Sequence, residues 1–524
     1  MRTPDHDFDA IVIGGGHNGL VAAAYLARGG RRVLVLEASP RLGGAAATDE
    51  ISPDYRISTA AHLVEAMPRK IEKDLRLGKH GLRFAARRLP AIALDLEGQH
   101  LMLPRKRADL EALARRSPAD AAAWNAFTAR LRACSSFVAP LLTKAPPVPG
   151  ADDAARIFRR TAWRALMLKR AAREDLLRLL PQSIGDCLNE TFETPLLKGA
   201  LAFEAVLGHA DGPYAPGTAA RLIWRDALRA GGMGASIPEG GLGGLTDALA
   251  ASARSFGAEL RTGATVTRIL VTGGEVAGVE TGSGEILRAP VVLSSADPRL
   301  TLLDLLGAEH VDAGLAAGLS RTARRGVTAK LNLALDGLPA FRGLAPEHHG
   351  ARLLIAPSLQ DVDEAAMFFR RGEFASSPVM EITIPSLGDP SLAPEGHHVM
   401  SVLVQYAPYE AAGGWDNARD RFTRRIVDTL DTYAPEIGHR IIAGELLLPP
   451  DIESKFALPG GDWHHGALHA GPLALFRPAP ELARYETPVH GLYLCGAGSH
   501  PGGGISGLPG RLAAEAVLAK RRRK

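Results

Sequence analysis

The hydrophobic pattern begins with an apolar run, Ala10-Ile11-Val12-Ile13, broken by Gly14-Gly15-Gly16-His17-Asn18-Gly19. It resumes as a longer apolar stretch over residues 20–28, stops at Gly29-Gly30, and returns as Val33-Leu34-Val35-Leu36 before Glu37. Short apolar runs bounded by turn residues read as strands buried on both faces, and the longer segment between them reads as a helix. That order predicts a parallel βαβ unit. From about residue 70 to 230 apolar positions recur at helical spacing, interrupted by Pro146-Pro147-Val148-Pro149-Gly150, and predict a helical cap. A helix over 245–256, strands over 264–269 and 289–296, and a hairpin about Gly273-Gly274 follow. Between residues 299 and 484, strand patterns such as 328–335 and 398–406 suit a sheet with one wall toward a pocket. The chain closes with a buried strand at 491–494, a glycine-rich turn and a helix over 511–520.

The first glycine turn carries the clearest chemistry. Gly14 permits a tight exit from the strand, Gly16 lets backbone N–H groups approach a pyrophosphate, and Gly19 allows close helix-to-strand packing. Gly15, His17 and Asn18 complete the turn, and the helix N-terminus behind it favours negative phosphate. Glu37 lies 23 residues after Gly14, where a carboxylate accepts a ribose 2′-OH and repels a 2′-phosphate. Past Ala38, Arg41 offers a planar donor fork to phosphate, and Gly43-Gly44 lets the chain pass close beneath a ligand.

A matching turn lies at the other end, where Gly496 and Gly498 lead into Gly502, Gly503, Gly504, Ile505 and Gly507. The spacing formally repeats GxGxxG. A second nucleotide unit would need another strand and an acidic residue about twenty positions on, and the sequence given stops at Lys524. The turn therefore reads as a helix N-terminus aimed at the far end of one long cofactor.

Arg41-x-Gly43-Gly44 after the ribose carboxylate resembles the second dinucleotide block of FAD-dependent amine oxidases and carotenoid desaturases. Together with the turn from Gly16 to Leu26, Lys79-His80-Gly81-Leu82-Arg83, residues 402–409, Leu448-Pro449-Pro450-Asp451-Ile452-Glu453, Leu458-Pro459-Gly460-Gly461 and His500-Pro501-Gly502-Gly503-Gly504, it resembles the phytoene dehydrogenase-related flavoproteins over nearly the full length. Within them it is most similar to the group named after pyridine nucleotide-disulfide oxidoreductase domain-containing protein 2.

The resemblance implies an α/β fold with a Rossmann-like FAD-binding domain made of residues 1–75, 231–298 and 485–524. A mixed-sheet substrate domain, 299–484, and a helical cap or substrate region, 76–230, would be interleaved with it. It also implies that Val266 offers its backbone to adenine, that the strand over 291–296 lies under the cofactor, and that the reaction is a flavin-dependent desaturation or dehydrogenation of a largely apolar substrate. Oxygen, a quinone or another carrier would reoxidise the flavin.

Composition adjusts this picture only modestly. A chain of 524 residues exceeds one core, and 46% hydrophobic with 23% charged residues is ordinary for a globular protein. A net charge of +4 makes no case for nucleic acid. Cys134, Cys187 and Cys495 match neither a redox pair nor a metal spacing, so no metal is expected, and low cysteine use fits the cytosol. Residues 1–9 do not read as a secretory leader, and no run of about 18 apolar residues offers a membrane span. Residues 156–180, with eight basic and two acidic side chains around Phe158, Trp163, Leu166, Met167 and Leu168, read as a solvated cap face or as a peripheral contact with an anionic membrane. The tail over 520–524 offers the same alternative.

Histidines are the natural acid–base candidates near neutral pH, and His500, His465 and His62 are placed closest to the expected flavin and substrate. Two other readings stand beside the desaturase. One is an amine oxidase, which uses an aromatic cage that a 5% aromatic content serves less well. The other is a non-catalytic binding or interaction protein built on the same fold.

Overall fold

The computed structural model describes residues 6–148, 153–322, 325–466 and 475–521. Its first layer is a five-stranded parallel sheet with the order Leu492–Leu494, Val292–Ser294, Ala10–Ile13, Val33–Leu36, Glu259–Arg261. Ile11 pairs with Val292 on one side and Leu34 on the other, so strands far apart in sequence share one register. The apolar runs are buried on both faces, as their lack of alternation predicts. Ala10 and Val12 point into a core formed with the helices His17–Arg28, Leu242–Ser255 and Leu508–Arg521. Ile11 and Ile13 point the other way, against the antiparallel sheet Val266–Thr272, Glu275–Thr281, Ile286–Arg288.

All three helices begin earlier than local propensity suggests. The helix expected over 245–256 starts at Leu242, the one expected at 511 starts at Leu508, and the first starts at His17. Glycines sit in these first turns because backbone meets backbone there. A Cβ on Gly19 would lie 2.0 Å from the Gly14 carbonyl oxygen, and one on Gly510 would lie 2.0 Å from that of Asn18. Tertiary contact overrides the entropy that glycine costs a helix.

The second layer is a seven-stranded sheet with the order Ile441–Leu447, Thr328–Leu335, His398–Gln405, Met380–Thr383, Arg352–Ile355, Ala91–Ala93, Leu101–Met102. Its last two strands come from the stretch expected as a helical cap or substrate region, and they join the strands of the later segment: Ala91 pairs with Arg352 in parallel. Strands of two and three residues are too short to show alternation beside long helical segments, so the periodicity there reads as cap. Apart from a further short strand, Phe84–Ala86, the regular elements described in the rest of that stretch are helices, with Pro118–Leu142, Ala154–Met167, Arg170–Leu179, Pro195–Val206 and Thr218–Ala230 among the longest. Among the described residues no helix is long and apolar enough to cross a membrane. The basic tail past Arg521 and residues 149–152 lie outside the described residues.

Candidate functional site

A cavity of about 1000 Å³ lies where the two layers and the helices meet. Both glycine turns open into it: Gly14, Gly16, His17 and Asn18 from the first, and Gly503, Gly504 and Ile505 from the last. His17 ties them together, its Nε2 donating to the Gly504 carbonyl at 3.2 Å. Burial pushes the His17 ring down to about 4, so it is neutral at physiological pH and adds no cation to the turn.

The first turn has the shape its chemistry requires. Gly14 has a φ of +92°, which a side chain would strain. A Cβ on Gly16 would meet nothing within 4 Å, so that position faces open cavity. Gly15 and Gly19 do not line the cavity. Gly15 donates its N–H to Glu37 Oε2 at 2.6 Å, and Gly19 serves packing. Ser39 N–H bonds the other Glu37 oxygen at 2.8 Å, so two amides hold the carboxylate in place beside the cavity with acceptor capacity remaining.

Ala38, Arg41, Gly43, Gly44 and Val266 also line the cavity. Arg41 is paired with Asp49, so its charge is already shared. Gly496 and Gly498 are not cavity residues. Their missing side chains admit the Ser295 carbonyl oxygen, 2.3 Å from the ideal Cβ of Gly496, and Pro298 Cδ, 2.5 Å from that of Gly498. Ala497 between them does face the space.

An adenine dinucleotide fits these residues. Phosphate would take the bare Gly16 edge and the following helix N-terminus, ribose would take Glu37, and the flavin end would lie toward Gly503 and Gly504. The volume is at the upper end of what cofactor and ligand sites occupy.

The histidine candidates separate. His500 does not line the cavity: it is fully buried, donates from Nε2 to the Lys144 carbonyl at 3.1 Å, and is pushed by burial down to about 4. This corrects its expected placement at the reacting face, because packing against the end of the helix Pro118–Leu142 turns the ring away from the space. His62 lines the cavity with both nitrogens engaged, Nε2 with Glu381 Oε1 at 2.8 Å and Nδ1 with Ser401 Oγ at 2.9 Å. Burial lowers its pKa against the pull of Glu381, leaving a neutral, oriented ring. His465 lines the cavity beside Gly498, in a left-handed conformation.

The sequence reading missed a charged wall. Arg221, Arg225 and Arg229 recur every fourth residue on the helix Thr218–Ala230 and all face the cavity. Glu65 accepts from Arg229 Nη2 at 2.7 Å and Arg225 Nη2 at 3.0 Å, and Glu204 accepts from Arg229 Nη2 at 2.9 Å. Arg352 bridges Glu204 to Glu381, which holds His62. Burial alone would raise these carboxyls, yet the guanidiniums hold Glu65 well below the carboxylate range and lower Glu204 and Glu381 as well. The i, i+4, i+8 spacing was the available signal, but an arginine stripe on a helix ordinarily reads as a solvated face.

The family described as flavin containing amine oxidoreductase matches residues 19–518 of this chain. Pyridine nucleotide-disulfide oxidoreductase domain-containing protein 2 of Mus musculus is 36% identical, covering 98% of this chain and 93% of its own. One of the limonene dehydrogenase polypeptides of Castellaniella defragrans is 27% identical over 97% of this chain and 94% of its own. Among solved structures, an oxidoreductase from Methanosarcina mazei superposes with a TM-score of 0.61 at 18% identity, covering 97% of this chain and 99% of its own.

Proposed function

The chain belongs to the flavin-containing amine oxidoreductases and is an FAD-dependent oxidoreductase, and from that premise we propose that it is a dehydrogenase or desaturase removing hydride from C–H bonds of a largely apolar, isoprenoid-like substrate. The observation that supports this most is the joining of the two glycine turns across one cavity by the 3.2 Å bond from His17 to the Gly504 carbonyl. When bound, the flavin supplies the hydride acceptor.

The chain's own residues do the rest. Glu37 and Val266 hold the adenosine end, and the bare backbone at Gly16 takes the pyrophosphate. The N-terminus of Leu508–Arg521, beyond Gly503 and Gly504, favours negative charge at the other end. Phe137, Val138, Leu141, Leu176, Leu180 and Leu207 give the cavity an apolar arm that excludes water and takes a carbon skeleton. The likeness to the limonene dehydrogenase polypeptide favours a hydrocarbon-type donor. Productive geometry needs the donor carbon held about 3–3.5 Å from the acceptor atom, which shape does better than any single acid or base. Neutral His62, with both nitrogens occupied, is an orienting wall residue rather than a proton carrier.

Anaerobic photometry of the holoprotein tests the reading. Terpenes or polyenes are expected to bleach the visible flavin band, and amines to leave it unchanged. Bleaching by amines alone transfers the assignment to the amine oxidase reading. A protein that takes up no FAD removes the enzymatic reading.

A further inference from the structure

The arginine stripe facing the cavity is not uniform in its hydrogen bonding. Arg225 and Arg229 are matched by Glu65 and Glu204, and Arg352 by Glu204 and Glu381. Arg221, one turn earlier on the same helix, is 8% exposed and has one carboxylate partner, Asp211, which engages Nη2 only. Its Nε and Nη1 are buried without a hydrogen-bond partner among the described residues, as is Nε1 of Trp224, which also lines the cavity. A guanidinium cannot shed its proton to escape burial, so these donors carry an uncompensated desolvation cost until an acceptor arrives.

The neighbours place this gap near the reacting end. His209 and His464 stack at 4.9 Å and line the same space. His464 Nδ1 lies 2.4 Å from where a Cβ on Gly503 would be, so the pair abuts the flavin-side turn. Burial, then the charges of Arg221, Arg477 and Arg225 among others, keep both rings neutral. The region therefore offers a guanidinium with spare donors beyond its Asp211 pair, while the arm toward Phe137 and Leu176 is apolar.

We propose that Arg221, with Trp224 beside it, forms a subsite for a carboxylate, so that the substrate is an apolar carbon skeleton carrying an acid group. This rests on the dehydrogenase reading for the reaction but not for binding. An ammonium has only donors and brings no acceptor to these groups. A plain alcohol would fill the arm with one neutral acceptor in place of the two charged oxygens of a carboxylate.

Isothermal titration of the holoprotein with decanoate, decanol and decylamine tests this without turnover. Decanoate is expected to bind about tenfold or more tightly than decanol, as a charge-assisted bond to a buried donor implies, and decylamine weakest. Arg221→Gln is expected to weaken decanoate about tenfold or more while leaving decanol unchanged, with Arg221→Lys intermediate. Equal binding of acid and alcohol, no binding of decanoate, or an unchanged decanoate affinity in Arg221→Gln overturns the proposal. If Arg221→Gln does not fold, the ranking of the three probes on the natural protein decides. Absence of dehydrogenation with every donor would sink the reaction assignment and leave the acid preference standing.

Discussion

Gly16 and Gly19, three positions apart, respond differently to a single methyl group. In Gly19→Ala the new Cβ would sit 2.0 Å from the Gly14 carbonyl oxygen, and only a backbone shift relieves it. Overpacking of that kind costs about 1–3 kcal/mol, so the apoprotein should unfold at lower temperature and lose flavin as well. Gly16 has a φ of −70° and an empty surrounding, so Gly16→Ala should keep apoprotein stability within about 0.5 kcal/mol while its flavin-to-protein ratio falls. Thermal unfolding of the apo forms beside absorbance of the holo forms separates the two. These glycines were legible in the sequence because turn chemistry is local. His500 was not: its glycine-rich neighbourhood suggested the flavin face, and only contact with Lys144, distant in sequence, turned the ring aside.

The helix Thr218–Ala230 shows why elements are harder to read than residues. Its arginine stripe looks solvated in isolation, and its partners Glu65 and Glu204 come from elsewhere in the chain. Glu204 touches Arg225, Arg229 and Arg352, so Glu204→Ala leaves buried cations unmatched and should cost about 3–5 kcal/mol in denaturant unfolding. The neighbouring helices Ala154–Met167 and Arg170–Leu179 pose the opposite case. Trp163, Leu166, Met167 and Leu177 are exposed among arginines, while Leu176 of the second helix lines the cavity. That combination of apolar and basic side chains suits an anionic lipid surface. Vesicles containing phosphatidylserine should pull the protein down and shift tryptophan emission to the blue, with Trp163→Ser weakening both. Phosphatidylcholine vesicles should do neither, and added salt should reverse the binding.

At the scale of the whole molecule, buried histidines set the acid limit of stability. His500 and His464 are pushed by burial from 6.5 to about 4 and about 3. The unfolded chain takes up their protons near 6.5 while the folded one refuses them, so the unfolded state binds more protons between those values. Stability is complete above about 6.5 and declines as pH falls toward 4, by about 1.4 kcal/mol per pH unit for each such ring. Glu65, Glu204 and Glu381, lowered in the folded state, add a second loss below about 4.5, the ordinary glutamate value. Denaturant midpoints should fall continuously from about pH 7 to about pH 4 and steepen below. Four of the five strands of the parallel sheet lie in apolar runs already visible in the sequence, whereas the edge strand Glu259–Arg261 and the register come from pairing. The seam between layers was not visible there, because Ala91–Ala93 joins the far sheet only through pairing with Arg352–Ile355. The cofactor layer draws its outer strand, Leu492–Leu494, and the helix Leu508–Arg521 from the end of the chain, and pins that helix against Asn18 through Gly510. A ribosome must therefore release the segment Leu508–Arg521 before the nucleotide cradle can close, and a chain cut short before Leu492 is left with half a cradle and no colour.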